Sequence, residues 1–205
     1  MMIENYHKPD IFQFNLNAFI QSLRSVTFTI QKELANLPDF SEWWKTQQAI
    51  MQSDKLLSDF KEGRNLVVKE GSLSFKSTVK IGRFEGLRFK LGLNMEVAIN
   101  EYSSSIIERC QKAFVGTFFI DKNHSAEWEQ LGVERTWIAE ELGEGEVVEL
   151  CDMAWARIGK ILSNAHTFFG FKLESPQEHG HSFKRARILL ETDLDPSLPK
   201  KWGWS

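Results

Sequence analysis

The chain has 205 residues, of which 42% are hydrophobic and 26% are charged, and its net charge is −3. This composition is ordinary for a globular protein and excludes the fibrous and disordered classes. No run of about eighteen apolar residues occurs, and no basic segment followed by an apolar run opens the chain, so we expect a soluble, cytoplasmic protein without a membrane segment. The separated cysteines Cys110 and Cys151 make no disulfide framework, and we expect both in the core.

Charge is distributed unevenly along the chain. Residues 69–90 carry six basic and two acidic side chains, a balance of +4, whereas residues 121–152 carry ten acids and two bases, a balance of −8. The basic segment is therefore a candidate surface for an anionic partner such as RNA.

Two helices are predicted before residue 54. Apolar side chains at i, i+3, i+4 and i+7 predict the first helix over about residues 15–36. Asp39 stands three residues before Glu42, which is a capping arrangement, and predicts the start of a shorter helix. That helix contains the pair Trp43 and Trp44, which either stacks on bases or covers the end of a bundle, and we expect core packing.

The third predicted helix, residues 54–71, carries a charge beside its apolar face. The side chains recurring at helical spacing are Leu56, Leu57, Phe60, Arg64, Val67 and Val68. An arginine at such a seam must meet a carboxylate, a carbonyl or a phosphate, because an isolated buried charge is costly. Glu33 is an available structural partner for Arg64. The other interpretation is a phosphate site in which Asn65 assists Arg64, and Gly71 suits the end of the helix.

Residues 62–71, after the helix that includes residues 17–26, resemble the HEPN family. The motif of that family is an arginine, usually followed by a polar residue, with a histidine a few residues later. Arg64 and Asn65 match the first part, and the histidine is missing from the window. The resemblance implies a small helical bundle, often dimeric, that cleaves RNA or binds nucleotides, with Arg64 and Asn65 in the place of catalytic residues.

The missing histidine bears on the predicted chemistry. Metal-independent RNA cleavage needs a group that exchanges a proton near neutral pH, and histidine is suited to this. Cleavage would then require Lys69 with a strongly lowered pKa, or a histidine from elsewhere such as His166. We therefore expect a protein that binds RNA, a nucleotide or a protein partner. An RNA endonuclease that uses Arg64, and a purely structural interaction protein, are the alternatives.

A β-hairpin is predicted at about residues 72–98, because apolar and polar residues alternate on both sides of the turn at residues 82–86. Six side chains are candidates for nucleic-acid binding. Lys69 belongs to the preceding helix, and the hairpin carries Lys76, Lys80, Arg83, Arg88 and Lys90. Three roles are open for these cations. They hold phosphates, protect a strand edge from pairing, or dock onto the acidic segment of a second subunit.

The remaining chain contains one further convincing helix. Residues 102–120 have a mixed helical pattern, and residues 121–145 are predicted to be a loop with short helical or extended pieces. A long amphipathic helix follows to about His166. Glu178, His179 and His181 supply too few ligands for a zinc site, so we expect a loop there and no metal or cofactor. Residues 183–192 are predicted to form either a short strand or a short helix.

Taken together, these patterns predict a mainly α protein, an up-and-down helical bundle of about four main helices with an inserted β-hairpin. Residues 1–194 would form a single domain, and residues 195–205 a C-terminal tail without regular structure. A homodimer is the predicted assembly.

Overall fold

The computed structural model describes residues 1–113, 129–171 and 183–204. The helices in these ranges are α1 (Pro9–Leu34), α2 (Phe40–Ser53), α3 (Lys55–Glu70), α4 (Ser103–Ala113), α5 (Val147–Phe168), α6 (Lys184–Arg187), α7 (Glu191–Leu194) and α8 (Leu198–Lys201). The strands are β1 (Phe75–Glu85), β2 (Arg88–Glu96), β3 (Glu129–Ala139) and β4 (Ile188–Leu190). Short 3-10 turns occur at Ile3–Asn5 and Glu140–Leu142.

Helices and a four-stranded antiparallel sheet make this a mixed α/β fold. The predicted predominance of helix is confirmed, but the fold is not a plain up-and-down bundle of about four helices. The chain divides into two compact units. Unit 1 comprises Met1–Gln13, Phe75–Trp137 and Ser182–Ser205, and unit 2 comprises Phe14–Ser74 and Ile138–His181. Within the described ranges, no helix is both long and apolar enough to cross a lipid bilayer.

The sheet of unit 1 has the strand order β2-β1-β3-β4. The predicted hairpin is confirmed, since β1 pairs antiparallel with β2 in a register that sets Ile81 opposite Leu93 and Glu85 opposite Arg88. Its turn lies at residues 86–87, whereas residues 82–86 were predicted, because β1 continues to Glu85. Gly86 supplies the positive φ of 55° in the connecting turn. One face of the sheet packs against α4 in a core of Val79, Ile81, Ile106, Ile107, Cys110, Leu131 and Val133.

Strand β3 corrects the prediction of an acidic loop over residues 121–145. From residue 129 onward the acid-rich segment forms an eleven-residue strand, and residues 121–128 lie outside the described ranges. Leu131, Val133 and Trp137 alternate along it and are buried. Its single basic residue, Arg135, lies on the same buried row and is fully buried. The many acids and glycines of residues 121–145 had favoured a loop over this period-two pattern.

The Arg135 guanidinium in unit 1 is satisfied by neutral oxygens. Its Nε donates to Ser77 Oγ at 2.8 Å, and its Nη1 and Nη2 donate to the carbonyl oxygens of Glu101 at 2.6 Å and Ile99 at 3.4 Å. The guanidinium carbon lies 4.0 Å from the ring centroid of Trp137, a cation–π geometry. Burial lowers the pKa of Arg135 to about 10, and the group remains charged at neutral pH.

His7 belongs to the same buried polar cluster of unit 1. Its Nδ1 lies 3.0 Å from Ser103 Oγ, while the neighbouring Tyr6 hydroxyl donates to the Arg135 carbonyl at 3.0 Å. Burial, and then the positive charge of Arg135, lower the pKa of His7 from 6.5 to about 4. The imidazole is therefore neutral at physiological pH.

Unit 2 is built from α2, α3, α5 and most of α1. The predicted helix at residues 54–71 is confirmed, with the Asp54 side chain accepting from the Leu57 N–H at 3.1 Å and Gly71 ending the helix at φ 87°. Trp43 and Trp44 are each 7% exposed and contact Phe40 and one another, so the core-packing interpretation is confirmed. Both cysteines are buried, as expected.

The C-terminal residues are more regular than predicted. Residues 195–205 were expected to lack regular structure, but residues 198–201 form the short helix α8. Asp195 accounts for part of this order, because its carboxylate accepts from the Ser197 N–H at 3.0 Å and from Lys201 Nζ at 2.9 Å.

Candidate anion-binding groove

Helices α1, α2 and α3 of unit 2 border a groove of about 210 Å³, to which α5 contributes Ile158. Three cations line it, namely Arg24, Lys61 and Arg64. The neutral polar lining consists of Thr27, Gln31, Gln48, Gln52 and Ser58, and the apolar lining includes Ile20, Leu23, Trp44, Met51, Leu57 and Phe60. No acidic side chain is among these described lining residues.

Helical spacing explains why these side chains converge. Lys61 and Arg64 are three residues apart on α3, and Gln48 and Gln52 are four apart on α2, so each pair shares one face of its helix. Arg24 presents its guanidinium from α1. The three helices therefore bring cations and amide donors to one groove.

The Arg64 guanidinium has only a neutral partner within the part of the chain that the structure describes. It is half-buried, and its Nη1 donates to Asn65 Oδ1 at 3.4 Å. Asn65 in turn donates from Nδ2 to Glu62 Oε2 at 3.4 Å. The proposed structural pair with Glu33 does not form, because no described carboxylate makes an ion pair with Arg64.

The other two groove cations are also weakly neutralised. Arg24 donates from Nη1 to Thr27 Oγ1 at 3.1 Å and lies 4.4 Å from the ring centroid of Phe28. Lys61 lies 3.5 Å from Glu62, but both side chains are 63% exposed, and such a pair is worth little in water. The groove consequently carries net positive charge, and its forked guanidinium donors match the oxygens of a phosphate or carboxylate.

The groove contains neither a histidine nor a carboxylate among its described lining residues. Lys69 lies exposed near the end of α3, and His166 lies on α5, and neither of these predicted proton carriers lines the groove. The arrangement therefore favours holding an anion over transferring protons to or from it.

The predicted basic face of the hairpin is largely neutralised by acids. Three of its cations form ion pairs, which are Lys80 with Glu134 at 3.4 Å, Lys90 with Glu85 at 2.8 Å, and Arg83 with Glu129. Lys76 and Arg88 of the same hairpin are exposed. These five residues belong to unit 1 and Lys69 to unit 2.

Sequence reasoning identified Arg64 and missed Arg24, Lys61 and the glutamines. Arg64 was visible because it interrupts an apolar stripe. The other groove side chains lie on ordinary polar positions of their helices, where no local pattern distinguishes them. Among the described residues, no group of three or more His, Cys, Asp or Glu side chains could hold a metal ion. Glu178, His179 and His181 lie outside the described ranges.

Comparison with known proteins assigns the chain to a phage family. Residues 2–189 match the family of bacteriophage lambda protein ea47. Protein ea47 of Escherichia phage lambda is 24% identical over 178 residues, which cover 85% of this chain and 41% of the relative. The chain thus spans about two fifths of the length of that relative. No solved structure matches it.

This match overturns the HEPN resemblance, since nothing in the comparisons indicates HEPN. The resemblance depended on Arg64 and Asn65 without the histidine, and two polar residues on a helix are too short a pattern to specify a family. Because the matching region includes nearly the whole chain, the chain belongs to the bacteriophage lambda protein ea47 family.

Proposed function

We propose that unit 2 binds a phosphate-bearing ligand, either a nucleotide or a segment of RNA, without cleaving it. The observation that carries this proposal is the groove that Arg24, Lys61 and Arg64 line, whose described lining residues include no acid. Structural cations are ordinarily paired where they are partly buried, and these have neutral or weak partners.

The electrostatics of the groove suit a phosphate. Hydrogen bonds between charged groups contribute about 1.5–3 kcal/mol each, and a phosphate can accept from both guanidinium groups at once. Arg24 and Arg64 project from different helices, so an anion between them would cross-link α1 to α3. Gln48 and Gln52 add neutral amide donors and acceptors at the same groove.

The apolar lining suits the rest of a nucleotide. Trp44, Phe60 and Ile158 contribute to the same groove as the cations. Small-molecule sites commonly combine an apolar wall with a few polar groups that fix orientation. A sugar or base placed against this wall would leave its phosphate with Arg24 and Arg64.

A binding experiment with two ligand classes tests the proposal. Adenosine monophosphate and a fluorescein-labelled single-stranded RNA are titrated in parallel, at low and at raised salt, into the wild type and into Arg24→Ala/Arg64→Ala. Binding of either ligand that weakens at least about tenfold in the double variant supports the proposal. Tight binding of the mononucleotide would identify a nucleotide site, and RNA binding alone, steeply salt-dependent, would identify an RNA site.

Lys69→Ala is the matched control, because Lys69 lies on α3 and does not line the groove. It should bind like the wild type. The proposal fails if neither ligand binds the folded wild type, or if the double variant binds as tightly. RNA recovered after incubation is also run on a denaturing gel, and cleavage that depends on Arg64 would contradict the non-catalytic part of the proposal.

A further inference from the structure

Strand β2 is the edge strand of the unit 1 sheet. The strand order places β1 on one side of it, and no described strand pairs with its other side. β2 is nine residues long, which is within the usual range for a strand. Its outer edge therefore presents a row of backbone N–H and C=O groups. Such an edge is a template for pairing with another extended chain.

The side chains of this edge are unusually apolar. Leu91, Leu93 and Met95 are 52%, 50% and 38% exposed. Leu93 lies opposite Ile81 and Met95 opposite Val79, and these β1 partners are buried in the core beneath α4. The face of the sheet that packs on the core therefore extends onto β2. There its apolar side chains, Leu91, Leu93 and Met95, are exposed.

The usual protections of an edge strand are missing from its second half. The register shift opposite Arg83 and Phe84 lies near the start of β2, and residues 91–96 pair regularly with β1. This regular stretch, L-G-L-N-M-E, contains no lysine, arginine or proline. Lysines, prolines and bulges are the features by which soluble proteins prevent edge-to-edge association.

The charges of β2 indicate which partner fits. Its cations, Arg88 and Lys90, stand at its beginning, where they outnumber the one carboxylate of Glu85 that pairs with Lys90 from β1, and its carboxylate, Glu96, stands at its end. When two copies of the strand pair antiparallel, the basic end of each lies against the acidic end of the other. Parallel pairing would instead set like charges together, so the strand is complementary to itself in one direction only.

We propose that two copies of the chain associate by antiparallel pairing of β2 with β2, extending each four-stranded sheet into one of eight strands. A two-fold axis perpendicular to the sheet keeps the same face of both copies on one side. Leu91, Leu93 and Met95 of the two copies then form one continuous apolar row. This dimer involves unit 1 and is independent of the groove in unit 2.

Sedimentation velocity of the full chain, over about 1–100 μM, tests the dimer. The wild type should shift with concentration toward a species of twice 23.7 kDa. Leu93→Lys brings two ammonium groups together near the axis, and it should weaken dimerisation at least about tenfold. Leu91→Lys is a second variant with the same expected result. Circular dichroism and thermal unfolding confirm that each variant is folded.

Phe14→Lys is the matched control, because Phe14 is 72% exposed and lies on α1. It should dimerise like the wild type. A wild type that stays monomeric throughout the concentration range would overturn the proposal. The remaining partner for the β2 edge would then be an extended peptide of another protein. A dimer that persists in both folded lysine variants would also overturn it.

Discussion

Gly63 lies so close to Leu142 that a β-carbon at position 63 would be 2.7 Å from Leu142 Cδ2. Leu142 is fully buried at the end of the turn Glu140–Leu142, so a methyl group at position 63 would force the packed Leu142 side chain to shift. Successive helical residues are about 100° apart around the axis. Fixing Gly63 on the buried side therefore turns Arg64, the next residue, toward the groove.

Gly63→Ala should destabilise the protein by about 1 kcal/mol. Overpacking of a filled core costs about 1–3 kcal/mol, and the better helix propensity of alanine returns about 1 kcal/mol. The free energy of unfolding, measured by urea denaturation, checks this prediction.

Gly159→Ala, on another helix, should change the free energy of unfolding in the opposite direction. Gly159 is exposed on α5, and a β-carbon there would meet no atom within 4 Å. This substitution should stabilise the protein by about 0.5–1 kcal/mol through helix propensity alone. If both glycine variants are stabilised equally, the close packing of Gly63 on Leu142 is refuted.

Arg135→Met should destabilise unit 1 by about 3 kcal/mol or more. The substitution removes the donors to Ser77 Oγ and to two carbonyl oxygens in a buried site, and buried acceptors without donors are costly. Chemical denaturation of the variant measures the loss. Arg157→Met is the comparison, since Arg157 is 43% exposed and pairs with Asp54 on the surface of unit 2, and it should cost less than about 1 kcal/mol. Equal losses in the two variants would contradict the role of the buried network.

Stability should fall on acidification because of His7. The folded pKa is about 4 and the ordinary value is 6.5. Between these values the unfolded chain binds a proton that the folded protein does not, so the free energy of unfolding decreases as pH falls from 6.5 toward 4. The decrease attributable to this group is roughly 3 kcal/mol at most. Unfolding of wild type and His7→Asn across this range isolates it, and parallel curves for the two proteins would show that His7 contributes nothing.

The sequence predicted those helices and strands whose defining residues are close together along the chain. Helix α3 begins after Asp54 and ends at Gly71, and both residues are typical of those positions. The alternation of apolar and polar residues on both sides of the turn predicted the hairpin. Strand β3 was missed because the acid-rich segment around it suggested a loop, although burial alternates along β3 from Val133 to Ala139. The groove was predicted only through Arg64, because the positions of Arg24 and Gln48 opposite it depend on how three helices pack. A single sequence does not specify that packing.

Calorimetric titration of inorganic pyrophosphate into the full chain tests phosphate binding in the groove most directly, because nucleotides and RNA share this anionic chemistry. The wild type and Lys69→Ala should bind pyrophosphate with similar affinity. Arg24→Ala/Arg64→Ala, folded by circular dichroism, should bind at least about tenfold more weakly. Unchanged affinity in the double variant, or no binding by the wild type, would contradict a phosphate site between these arginines.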